Sequence, residues 1–61
     1  MIRTNYRVIG YDDEGKHLFS VTVEATSATA AELLAFSQIQ KRPDGKSIMS
    51  LATRVETKRD I

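Results

Sequence analysis

His17-Leu18-Phe19-Ser20-Val21-Thr22-Val23-Glu24-Ala25 is the stretch on which the fold turns. Phe19, Val21, Val23 and Ala25 share one side of a two-residue period, and Ser20, Thr22 and Glu24 share the other. That alternation describes a strand with one buried face. Working outward toward the N-terminus, Asp12-Asp13-Glu14-Gly15-Lys16 is a run of turn formers in which Gly15 suits a left-handed position. Before it, Tyr6-Arg7-Val8-Ile9-Gly10-Tyr11 is rich in β-branched and aromatic residues, with apolar groups on both faces. The two strands and their loop predict a hairpin.

On the C-terminal side the alternation stops at Thr26-Ser27, and Ala28 to Gln40 is dense in Ala, Leu, Glu and Gln, all good helix formers. Ser27 is the expected N-cap, with Thr29-Ala30-Ala31-Glu32 as a rival capping box. Ala31, Leu34, Ala35 and Ile39 form a narrow helical stripe, and its alanines permit close approach to a sheet. Leu33 and Phe36 lie outside that stripe. Pro43-Asp44-Gly45 then predicts a turn. Beyond it Met49, Leu51, Thr53 and Val55 alternate with Ile48, Ser50, Ala52 and Arg54, which predicts a third strand, although Met, Leu and Ala would also serve a helix. Thr57 to Ile61 reads as a frayed polar tail.

Strand, strand, helix, strand gives a single α+β domain over residues 1–61. Its expected form is a three-stranded, mostly antiparallel sheet in order 2-1-3, with one helix packed on one face. The expected core is Tyr6, Val8, Phe19, Val21, Val23, Met49, Leu51 and Val55 against Ala31, Leu34, Ala35 and Ile39.

Composition narrows the function. The chain has 61 residues with 9 Lys+Arg, 8 Asp+Glu, no Cys and one His, so a disulfide framework and a thiolate metal site are excluded. No apolar run approaches the ~20 residues of a membrane span, and no signal-peptide pattern is present, so a soluble, cytoplasmic protein is expected. An enzyme would have to be built on His17 with the nearby Asp12, Asp13 and Glu14, which do not follow the spacing of an EF-hand loop. A solvated acidic turn accounts for them better. No catalytic residue, cofactor or metal site is therefore expected.

Residues 1–40 carry three basic and five acidic groups, whereas residues 41–61 carry six and three. The topology brings Lys41, Arg42 and Lys46 toward the acidic hairpin loop, where the two sets are expected to screen one another. The face of the sheet without the helix is expected to gather Ile9, Tyr11, Leu18 and Ile48 within a polar border. With Leu33 and Phe36 on the helix flank, these six residues form the expected protein interface. The leading expectation is a non-enzymatic interaction or adaptor module, self-associating as a homodimer or binding another protein.

RNA is the alternative partner, with Arg7, Lys41, Arg42, Lys46, Arg54, Lys58 and Arg59 as phosphate contacts. The element order and the segment Tyr6-Arg7-Val8-Ile9-Gly10 resemble small archaeal ribosomal proteins, which implies binding to ribosomal RNA through those basic residues. Only Lys41-Arg42 and Lys46 represent the basic helix-to-strand connection that the resemblance implies.

Overall fold

The hairpin strands and the main helix form where the pattern places them, and the remainder of the chain is organised differently. A computed structural model describes residues 2–60. It contains β1 (Thr4–Tyr11), β2 (His17–Ala25), α1 (Ala28–Gln40), α2 (Gly45–Leu51) and β3 (Arg54–Arg59). The sheet runs in order β2-β1-β3, and β1 is antiparallel to both neighbours. β2 and β3 are thus parallel across β1, as a strand-helix-strand crossover requires.

Local chemistry fixes each turn. The Oδ1 of Asp12 accepts from the backbone N–H groups of Glu14 at 2.9 Å and Lys16 at 2.8 Å, while the Asp12 N–H donates to the Lys16 carbonyl at 3.0 Å. Gly15 takes the left-handed conformation at φ 81°, which is strained for any residue with a Cβ. Ser27 is the N-cap of α1, its Oγ accepting from the Ala30 N–H at 3.2 Å.

The core consists of Val8, Phe19, Val21, Val23, Ala25, Ala31, Ala35 and Ile39. Ala31, Ala35 and Ile39 recur every fourth residue and so form one row along the sheet-facing side of α1. Because two of the three are alanines, the backbone of α1 can lie close to the sheet, and the space is filled from below by Phe19 and the valines.

Three expectations are corrected here. The expected strand beginning at Ile48 is a helix, because Gly45, Ile48, Met49 and Ala52 recur at i, i+3, i+4 and i+7 and are the residues turned inward. Ile48 consequently leaves the sheet face and packs on the core from α2. The strand starts later, at Arg54, and Thr57–Arg59 belong to it instead of to a frayed tail; Ile61 lies outside the described residues. Leu34 and Leu51, expected in the core, are 46% and 57% exposed. Leu34 stands on the flank of the alanine row, and Leu51 lies on the outward side of α2.

Candidate functional site

The residues of the open sheet face follow from register. β1 contributes Asn5, Arg7, Ile9 and Tyr11, and the last three each have a same-face neighbour on both sides. Arg7 lies between Thr22 and Lys58, Ile9 between Ser20 and Glu56, and Tyr11 between His17 and Arg54. A register shift beside Gly10 and Tyr11 leaves Leu18 as an extra residue of β2. Leu18 is half-buried and touches the core, so it lies at the rim of this face.

Electrostatics on the face are local and balanced. Arg7 pairs with Asp60 at 3.7 Å and Arg54 with Glu56 at 3.6 Å, both well exposed to solvent. Each such pair contributes about 0–1 kcal/mol. The Arg54 guanidinium also sits 4.9 Å from the centre of the Tyr11 ring, and the His17 ring meets Tyr11 edge-on at 6.3 Å. Among the described residues no ion pair joins Lys41, Arg42 or Lys46 to the acidic loop, so the expected screening between those two runs is replaced by pairs within the sheet face.

The six expected interface residues are not brought into one patch. Ile9 and Tyr11 share the open face, Leu18 lies at its rim, and Phe36 and Ile48 are half-buried against the core. Leu33 alone is fully outward, at 65% exposure. Missing from the sequence reading were Ile2, Leu34 and Leu51 as exposed large side chains. For Leu34 the signal was available: Ala31, Ala35 and Ile39 already fill one row, and a residue one position before Ala35 is turned ~100° away from it.

The basic candidates divide in the same way. Arg7, Arg54 and Lys58 share the open face, where Glu24, Glu56 and Asp60 match them in number. Arg59 is opposite Tyr6 on the helix-bearing face, and Lys41, Arg42 and Lys46 are exposed around the α1–α2 turn. Among the described residues no three His, Cys, Asp or Glu side chains come together to hold a metal ion. No described helix is long and apolar enough to cross a membrane. A shallow groove lined by Arg3, Glu24, Ala25, Thr26, Ala30 and Leu34 runs where β2 ends and α1 begins. Comparison with protein-family models, with curated proteins and with solved structures finds no match.

Proposed function

We propose that this chain is a non-enzymatic protein-interaction module that works through the outer side of α1 and the adjoining sheet. The observation that carries this reading is the order of side-chain sizes on α1. Ala31 and Ala35 are wholly buried while Leu33 and Leu34 stand outside at 65% and 46% exposure. One exposed leucine is ordinary on a protein surface. A helix that buries its smallest residues and turns two adjacent leucines outward gains nothing from them within its own fold.

Nucleic-acid binding is the weaker reading, because the open face sets three carboxylates among its three cations and Tyr11 is already covered by Arg54. The proposal is tested with the double variant Leu33→Asp/Leu34→Asp, followed by sedimentation velocity over a wide concentration range. Association of the wild type should be lost in the variant, while its monomer keeps the wild-type circular dichroism spectrum. Association unchanged by both aspartates would refute the role given to α1.

A further inference from the structure

The two edges of the sheet are unlike. β3 is six residues long and four of them are charged, Arg54, Glu56, Lys58 and Arg59, which is one of the ways natural proteins block pairing at a sheet edge. β2 is nine residues long, contains no Pro and no Lys, and carries Glu24 as its one carboxylate. Its central part, Phe19 to Val23, has no charge at all.

Two hydrogen bonds between β1 and the chain around β3 fix the direction of the free main-chain groups on β2. The Asp60 N–H donates to the Asn5 carbonyl at 2.8 Å and the Thr53 N–H to the Tyr11 carbonyl at 2.9 Å. Odd-numbered residues of β1 therefore direct their polar backbone groups toward β3, and even-numbered ones toward β2. Through the pairs Tyr6–Val23, Val8–Val21 and Gly10–Phe19, the odd residues of β2 are consumed by β1. Ser20, Thr22 and Glu24 point theirs outward, to the side of β2 that has no neighbouring strand among the described residues.

We infer that β2 pairs antiparallel with β2 of a second copy of this chain across a two-fold axis at Val21, joining the two sheets into one of six strands. This deepens the interaction reading above by naming the partner, and it rests on that reading. The register is chemically self-complementary. Ser20 comes opposite Thr22 of the second copy, both with outward backbone groups, which is the condition for a hydrogen-bonded antiparallel pair. Glu24 comes opposite Leu18 of the other copy, next to His17, which the register shift places on the same open face. The one carboxylate of the strand therefore meets no carboxylate of its mate, and no like charges are set opposite one another. The groove containing Leu34 opens beside Glu24 and Ala25, so an exposed leucine flanks the same seam.

The test combines oligomeric state with amide exchange on the full chain. Wild type should sediment at twice 6.8 kDa, and Thr22→Pro should return it to 6.8 kDa. Proline is tolerated at a sheet edge where its missing N–H faced solvent. Ser20→Lys/Thr22→Lys is the second variant, placing lysines opposite one another only in the dimer; its monomer should keep the wild-type circular dichroism spectrum. In wild type the amides of Ser20, Thr22 and Glu24 should exchange slowly; at least tenfold faster exchange is expected at residues 20 and 24 in Thr22→Pro and at residues 20, 22 and 24 in Ser20→Lys/Thr22→Lys, while Val21 and Val23 stay protected. A monomeric wild type, or fast exchange at Ser20, Thr22 and Glu24, would overturn the inference. A dimer that survives both edge variants and dissociates with Leu33→Asp/Leu34→Asp would also overturn it, while leaving the role of α1 in place. A dimer lost in the edge variants and kept in the leucine variant would uphold it and remove α1 from the interface.

Discussion

Gly10 lies opposite Phe19 on the helix-bearing face of the sheet, and a Cβ built on it would collide with three carbons of the Phe19 ring. The ring therefore occupies the space that a side chain at Gly10 would need, which explains how a phenylalanine 2% exposed fits beneath a helix that approaches so closely. Gly10→Ala removes strand-weakening flexibility and so would be favourable on propensity alone. The steric term dominates, since displacing a packed ring is overpacking at a cost of about 1–3 kcal/mol. Urea unfolding of Gly10→Ala should show that loss with the slope unchanged. Equal or greater stability would mean that the Phe19 ring has somewhere else to go. Sequence reading placed both residues in strands correctly, yet nothing in the local pattern of either strand announces the pair, because it depends on the register between them.

At the scale of elements, β2 and α1 were legible to the residue, and α2 and β3 were not. Phe19 to Ala25 satisfies one period only, and Ser27 provides a real cap. From Gly45 to Ala52 the same apolar residues fit a period of two and a period of 3.6, and only packing against the C-terminal end of α1 selects the second. Gly45 shows that packing directly: it is buried, and a Cβ there would collide with the Ile39 carbonyl oxygen. Its own N–H donates to the Arg42 carbonyl at 3.0 Å, holding the turn between the helices. Gly45→Ala sets two effects against each other. Helix propensity favours alanine by about 1 kcal/mol in a helix interior, and less at the first position. The obstructing atom belongs to the backbone of α1, so it cannot swing aside as a side chain would. Net destabilisation of about 1–3 kcal/mol is expected from thermal unfolding. A gain in stability would show that α2 can slide away from α1, and with it that Ile48 and Met49 are weakly held. The same misreading explains why Ile48 left the candidate surface. The face of β3 was nevertheless legible: Val55 points inward and Arg54 and Glu56 outward as the alternation requires, although the strand begins six residues later than Ile48.

For the molecule as a whole, the small core is what gives its outer surfaces their importance. A chain of 61 residues buries only about 60% of its unfolded surface. Three of the eight core side chains among the described residues are alanine, and a chain without cysteine has no disulfide to restrict the unfolded state. Ordering costs about 1.5 kcal/mol per residue, so the balance is small and any pairing between copies appears directly in stability. That makes the melting temperature a sensitive reporter. If folding and pairing at the β2 edge are linked, each tenfold rise in protein concentration shifts the equilibrium by about 1.4 kcal/mol per dimer, or about 0.7 kcal/mol per chain. For a domain of this size that corresponds to about 3–6 °C. Wild type should therefore melt higher as concentration rises, whereas Ser20→Lys/Thr22→Lys should melt at one temperature throughout. The variant's lower but constant value would then set a lower bound on the stability of the lone fold, because Ser20 and Thr22 are exposed and outside the core while Thr22→Lys adds a like charge opposite Arg7. A wild-type midpoint that does not move would mean that the eight-residue core and the β1–β3 pairing suffice alone, and that the bare edge of β2 is kept apart from other copies by something other than charge.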